Sequence, residues 1–350
     1  MPLKLPQVRL VGWDIGGAHL KCAAFDDAGG LLAVRQLPCP LWQGLPELDL
    51  ACELVAADWG LAEARHVATM TGELCDLFPS RDAGVMAIVA AMAARVGDDR
   101  LRIYARQAGL VRPAAVVASD VASMNWHATA TALAQRCDEA LLIDTGSTTT
   151  DVIRIEKGCV VTQGHADRTR LVSDELVYQG VVRTPVMAVS ARVMYAGQWQ
   201  GLAAEYFANM ADVYRLTGEL PPDADLLPSA DGRGKTLGES AARLARMVGD
   251  DAGAASFSAL QALARELAAA QIRRLGEAVQ RVEQGRGAPL PMVVGAGVGR
   301  FLVQAWARAS GRTYRDFSQV LGLPGALAEP ASECAPAVAV GCLGRSLAWA

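Results

Sequence analysis

The sequence predicts an α/β protein of two domains, made of related half-domains that face one another across a cleft. Three observations carry this expectation. Apolar runs of strand length alternate with segments of helical periodicity along the whole chain, the pattern of sheets layered with helices. At 350 residues the chain exceeds one ordinary core and divides comfortably into two. Most specifically, one strand, turn and strand pattern occurs twice, as Val11-Gly12-Trp13-Asp14-Ile15-Gly16-Gly17-Ala18-His19-Leu20-Lys21 and as Leu141-Leu142-Ile143-Asp144-Thr145-Gly146-Ser147-Thr148-Thr149-Thr150-Asp151.

Val8 to Ile15, His19 to Phe25 and Leu31 to Leu37 read as strands, and the short glycine-bearing turns between them make an antiparallel meander. Pro38 and Pro40 stop the sheet, and Leu45 to Trp59 is expected to be helical. His66 to Met70 is a strand that ends in Thr71-Gly72-Glu73-Leu74. Ser80 is an N-cap for a helix whose Val85, Ile88, Val89, Met92 and Val96 share one face before Gly97. Leu101 to Tyr104 and Ala114 to Ser119 are expected as strands, followed by a helix from Ser123 to Arg136.

The order restarts at Leu141, where Asp151 to Ile155 and Cys159 to Thr162 flank the turn Glu156-Lys157-Gly158. The polar segment from Gly164 to Pro185 interrupts the repeat and reads as an inserted substrate loop and hairpin. Glu205 to Leu216 is expected to be helical, Pro221 to Thr236 a surface connection, and further helix to reach Val248. A long helix covers Leu260 to Val282, with Gly285 placed just past its end. Pro291 to Gly299 is a strand and glycine loop leading into a helix at Arg300, and Ala335 to Trp349 is a packed terminal helix that returns to the first domain. The predicted domains are therefore 1–136 with 331–350, and 137–330.

With 52% hydrophobic and 20% charged residues, both domains can bury cores, which excludes a disordered chain. A net charge of −4 and a pI near 5.7 argue against a nucleic-acid partner. Eight cysteines without a CxxC pair signal neither a zinc site nor a disulfide framework, and are expected as reduced thiols. The N-terminal stretch bearing Pro2 and Pro6 lacks the apolar core of a signal peptide, and no apolar run approaches the ~20 residues that span a bilayer. A soluble, cytoplasmic protein without a membrane partner is expected, with a homo-oligomer left open.

The duplicated pattern suits phosphate. Small residues let the backbone approach an anion, amides and hydroxyls donate to its oxygens, and an aspartate can hold its divalent cation. Asp14 and Asp144 are the candidate ligands of Mg²⁺, each closing an apolar strand, although aspartate at such a turn also caps local amides. Gly16, Gly17, Gly146, Ser147, Thr148 and Thr149 are the candidate anion contacts. Lys21 either faces solvent on its strand or approaches the phosphate. Gly295 and Gly297 belong to a late Gly295-Ala296-Gly297-Val298-Gly299 run whose spacing is not that of a dinucleotide fold. Gly232-Arg233-Gly234-Lys235-Thr236 fails as a P-loop, because Ser229 stands where the first glycine is needed and no strand precedes it.

Three glycine-bearing turns in this order resemble the actin-like ATPase and sugar kinase superfamily. More narrowly, Trp13 to Lys21, Thr71-Gly72-Glu73-Leu74, Asn125-Trp126-His127-Ala128-Thr129, Asp144 to Asp151, and Gly164-His165-Ala166-Asp167 onward to Arg183-Thr184-Pro185 resemble its hydantoinase/oxoprolinase-like one-carbon pathway proteins. That resemblance implies a two-domain actin-like fold and the chemistry of the family's methanofuran-biosynthesis transferases. These join an aminomethylfuran-methanol diphosphate to the phenol of a tyramine or tyrosine acceptor, glutamylated or not, as an aryl ether with release of diphosphate. Ala18 stands where kinases of the superfamily carry Thr or Ser, which favours this transfer over phosphorylation. An ATP-dependent kinase or hydrolase of the same fold, and a nucleotide-sensing subunit, are the other readings. For the transfer, His165 and Asp120 are candidate bases for the phenolic proton. Asp167, Arg168 and Arg183 are candidate substrate contacts.

Overall fold

The computed structural model describes residues 5–253, 256–323 and 325–349, so that Pro2 lies outside the described residues. Contacts group the chain into two units, 1–140 with 155–161 and 316–350, and 141–154 with 162–315. The stretch 316–330, expected in the second domain, groups with the first, because the turn Gly325–Leu327 and the helix Ala328–Glu333 pack against the strand Leu31–Pro38.

In the first unit, β1 (Leu10–Ile15), β2 (His19–Phe25) and β3 (Leu31–Pro38) form the expected meander. Helix α1 (Pro46–Trp59) then leads to β4 (Arg65–Met70), α2 (Arg81–Val96), β5 (Leu101–Ala105) and β6 (Gly109–Val111). These strands make one six-stranded sheet in the order β3-β2-β1-β4-β5-β6, with β1, β4 and β5 parallel. Ser80 caps α2 by accepting from Ala83 N. One face of the sheet meets α1 and α2 through Trp13, Ile15, Ala68, Met70, Ile103, Cys52, Val55, Ile88 and Met92.

The expected strand over Ala114 to Ser119 is absent. Pro113 cannot donate to a ladder, and the chain instead makes a 3₁₀ turn at Pro113–Ala115 and the short helix α3 (Ala118–Val121). Helix α4 (Asn125–Ala134) follows.

The second unit begins in β7 (Glu139–Thr145) and β8 (Thr150–Glu156); β9 (Cys159–Val161) closes the next turn and groups with the first unit. Where an inserted hairpin was expected, the chain forms helix α5 (Asp167–Ser173) and the edge strand β10 (Leu176–Val177), antiparallel to β8. The hairpin comes later, as β11 (Arg192–Tyr195) and β12 (Gln198–Gly201). Helices α6 (Met210–Thr217), α7 (Leu237–Arg246) and α8 (Phe257–Glu283) follow, α6 starting later than expected because Asn209 and Asp212 form a capping box there. Gly285 lies just past α8 at φ 74°. Then come β13 (Met292–Ala296), α9 (Arg300–Ala309) and β14 (Thr313–Asp316). The sheet order is β10-β8-β7-β13-β14, with β13 parallel to β7. Its core joins Leu141, Ile143, Val152 and Val293 to Val213, Leu244, Leu263, Leu267, Val279 and Leu302.

The chain returns to the first unit through α10 (Phe317–Val320), α11 (Ala328–Glu333) and α12 (Ala335–Gly344). As expected, α12 is a terminal helix packed on the first sheet, against β1, β2, β4 and α4, but it ends at Gly344 and does not run on to Trp349. Among the described residues no helix is long and apolar enough to cross a membrane.

Candidate functional site

The two repeated hairpins fold alike. In the first, Gly16 N donates to His19 O at 3.0 Å; in the second, Gly146 N donates to Thr149 O at 2.8 Å. Each bond closes a tight turn at the end of a buried strand, with the aspartate two residues before it. The following amides of Gly17 and Ala18, and of Ser147 and Thr148, donate to no backbone oxygen among the described residues. Amides left without a backbone acceptor in a tight turn suit an anion.

Within the first unit the turn is fixed from outside. Cys39 N donates to Ala18 O at 2.9 Å and Leu41 N to Gly17 O at 3.0 Å, so the turn's carbonyls are satisfied. Asp14 is buried at 3% exposure. Its Oδ2 lies 3.5 Å from Lys21 Nζ, whereas its Oδ1 has no hydrogen-bond partner. Desolvation raises its pKa, offset in part by the Lys21 charge and hydrogen bond. Lys21 therefore sits beside the carboxylate and is only partly exposed.

Two stretches the sequence left unassigned complete this end of the sheet. Thr71-Gly72-Glu73-Leu74 makes a 3₁₀ turn at the end of β4, and buried Glu73 accepts a 2.9 Å bond from Ser123 Oγ. Ser123 holds φ 55°, a left-handed conformation that costs a residue with a side chain about 1 kcal/mol or more. In α4, His127 Nδ1 lies 2.8 Å from Tyr104 Oη, which also contacts Thr131 Oγ1 at 3.0 Å. Burial pushes the Tyr104 hydroxyl up to about 12. No candidate role was assigned to His127, since its partner Tyr104 lies in another element.

Within the second unit, the turn is clamped by 180–184. Val181 N donates to Gly146 O at 3.1 Å, and Val182 N and Arg183 N donate to Ser147 O at 3.1 and 2.8 Å. Gly180 must be glycine, because a Cβ there would stand 2.4 Å from Thr148 N and 2.5 Å from Gly146 O. Thr150 is structural, donating to Gln179 O at 2.8 Å, which leaves Ser147, Thr148 and Thr149 half-exposed on the turn. Gly297, at φ 81°, lies over the aspartate: a Cβ would meet Thr145 O at 2.2 Å and Asp144 Oδ1 at 2.6 Å. Gly295 is not part of that loop. It lies inside β13 opposite Ile143, against the Tyr314 ring.

The remaining candidates are dispersed. Asp120 is not at a strand end: it sits in α3, 3.5 Å from Arg106 Nη2, and its Oδ2 accepts from Gln107 N at 3.0 Å. His165 and Arg168 are exposed, before and in the first turn of α5, and Asp167 is buried at its start. Arg183 contributes its amide to the clamp while its side chain is exposed. Lys235 pairs with Asp225 and Thr236 caps α7, so that glycine-rich stretch is a surface loop and a helix cap.

The sequence profile of the family described as hydantoinase/oxoprolinase matches residues 65–333. A (4-{4-[2-(gamma-L-glutamylamino)ethyl]phenoxymethyl}furan-2-yl)methanamine synthase of Methanocaldococcus jannaschii is 27% identical over 245 residues, 69% of this chain and 72% of that protein. A synthase of the same name from Methanococcus vannielii is 27% identical over 157 residues, 45% of this chain and 70% of that protein. Among solved structures, a nucleotide-free acetone carboxylase aligns with a TM-score of 0.57 at 12% identity, covering 97% of this chain and 70% of that one. The fold is the α/β two-sheet actin-like ATPase fold.

Proposed function

The chain belongs to the hydantoinase/oxoprolinase family, and from that premise we propose that it is a transferase forming an aryl ether in methanofuran-type one-carbon cofactor biosynthesis. Its substrates are an aminomethylfuran-methanol diphosphate and the phenol of a tyramine, tyrosine or glutamylated acceptor, and diphosphate leaves. The name of the 27% identical relatives describes such a phenoxymethyl link to a furan. The single observation carrying the reading is the duplicated turn, Gly16 N to His19 O and Gly146 N to Thr149 O, each with a buried aspartate at its strand end.

The chemistry asks most at the leaving group. The bond between the furfuryl carbon and the diphosphate oxygen breaks with its electron pair going to diphosphate, while the furan spreads the positive charge left on carbon. The phenol oxygen then bonds to that carbon and gives up its proton. In this reading the amides of Gly17 and Ala18 in the first unit, and in the second those of Ser147 and Thr148 with the Ser147, Thr148 and Thr149 hydroxyls, donate to a diphosphate as its charge grows. The Lys21 ammonium adds a cation beside the first turn.

Asp14 in the first unit and Asp144 in the second are the proposed Mg²⁺ carboxylates, and glycine at 297 lets the backbone pack close against Asp144. The partnerless Asp14 Oδ1 fits a cation that binds through few carboxylates and keeps several waters. Bound Mg²⁺ would neutralise the departing diphosphate. His165, exposed at the approach to α5, remains the proposed base, and Asp167, Arg168 and Arg183 the proposed acceptor contacts. Asp120 is the weaker base, being engaged by Arg106 and Gln107 N.

The test mixes protein, Mg²⁺ and the furfuryl diphosphate with tyrosine or glutamyl-tyramine, and runs ATP in parallel. Phenol-dependent diphosphate release with an ether product is the expected outcome, and Asp144→Asn should lower it about 10²-fold or more with little loss of stability. Phosphate release from ATP without ether formation would return the protein to the kinase or hydrolase reading.

A further inference from the structure

The first sheet carries a polar row across one of its faces. Asp14 on β1 is the register partner of Lys21 on β2 and of Thr69 on β4. The pairing of β4 with β5, Ala68 opposite Ile103, continues one step to put Thr69 beside Tyr104. Trp13, Ala68 and Ile103 lie in the core toward α1 and α2, so the alternation of a strand turns Asp14, Thr69 and Tyr104 to the other face. The Tyr104 bond to His127 of α4 agrees.

Two neighbouring members of this row are unsatisfied. Thr69 is fully buried at 0% exposure, yet its Oγ1 has no hydrogen-bond partner, and neither has Asp14 Oδ1. Buried polar atoms without partners are rare, and each is costly unless something outside the chain satisfies it. Two of them on adjacent in-register residues call for one shared polar guest. It cannot be Lys21, whose ammonium approaches the other carboxylate oxygen, Oδ2.

We propose that Thr69 is a positioning residue of the metal site, whose hydroxyl holds an aqua ligand of the cation bound at Asp14. This rests on the Mg²⁺ reading given above and names a residue that reading does not use. With the cation bound, the Thr69 hydroxyl would hold that water and Asp14 would hold the cation. Outer-shell partners of this kind change metal affinity by roughly 10–100-fold. A water that merely fills the interior, without a cation, is the competing explanation, and it predicts a different phenotype.

The experiment measures Mn²⁺ affinity by electron paramagnetic resonance, with inorganic diphosphate present, and the melting temperature of the metal-free protein. Thr69→Val should weaken Mn²⁺ about ten-fold while melting within about 2 °C of the wild type; Thr69→Ser, which keeps the hydroxyl, should bind within about two-fold. Unchanged Mn²⁺ affinity in Thr69→Val overturns the proposal, as does a weakening accompanied by a clear loss of metal-free stability. Asp14→Asn separates the two readings. If it loses Mn²⁺ while Thr69→Val retains it, the metal site stands and only the role of Thr69 falls. If the wild type binds no Mn²⁺, or Asp14→Asn binds it normally, both fall together.

Discussion

His66 lies on the strand beside Trp13, and the indole Nε1 donates to its Nδ1 at 3.1 Å. That bond requires an unprotonated Nδ1, and burial, with a smaller push from Arg100, lowers the imidazole pKa to about 3. The unfolded chain takes up this proton below its ordinary 6.5, whereas the native state resists until about 3. Stability from this group is therefore fully present above pH 6.5 and is lost as pH falls toward 3, by an amount on the order of 4 kcal/mol. His66→Gln keeps an acceptor for the indole and does not titrate there, so its melting temperature should fall less steeply than the wild type's over that range. Parallel curves for the two proteins would assign the acid sensitivity elsewhere. The same logic of partners distinguishes the two hairpins. Seven residues past the aspartate (14 to 21, 144 to 151), the first carries Lys21 and the second Asp151, so the first hairpin places a cation of its own beside its turn aspartate.

At the element scale, Asp151 is neutralised from α5, where Arg170 Nη1 donates to it at 2.8 Å and Nη2 to Glu175 O at 2.9 Å. The guanidinium is 1% exposed, so the pair is buried and its breakage leaves an uncompensated charge. Arg170→Met should lose about 3–5 kcal/mol in urea unfolding with an unchanged m-value, and adding Asp151→Asn should restore part of it. A loss below about 1 kcal/mol would show that water reaches Asp151 and that α5 is not anchored by this pair. The pair also explains what was legible in the sequence. Elements fixed by nearby residues were readable: both hairpins, the Ser80 cap and the Gly285 terminus are local matters of turn and cap chemistry. The segment from Gly164 to Pro185 was misread as a hairpin because its helix is held by Arg170 to a residue on β8. Asp120 was expected at the end of a strand and lies in α3 for a similar reason, held by Arg106 and Gln107 in the turn between β5 and β6. Thr69 gave no signal at all, since only the register of two parallel strands sets it beside Asp14.

Over the whole molecule, the first unit is assembled from three separated stretches of chain, 1–140, 155–161 and 316–350. The last of these supplies α12, whose Ala335, Ala337, Val338, Ala339, Val340 and Gly341 are all buried. A helix apolar on every side has no solvent face to present and must lie inside a core. It covers β1, β2 and β4 on the side away from α1 and α2, and each fully buried valine on it contributes roughly 1.5–3 kcal/mol of the burial that holds that face. Without α12 the sheet would expose an apolar surface through Leu10, Ala23, Phe25 and Val67, buried in the intact chain. Expressed alone, 1–140 should therefore lack a cooperative thermal transition and bind a hydrophobic dye, although it contains every strand of its sheet. Joining 316–350 to it through a short Gly/Ser linker should restore a sigmoidal melt and suppress dye binding. A cooperative melt of 1–140 by itself would mean that α12 is an accessory to a sheet already stable on one covered face, and that the first unit does not depend on the chain's return.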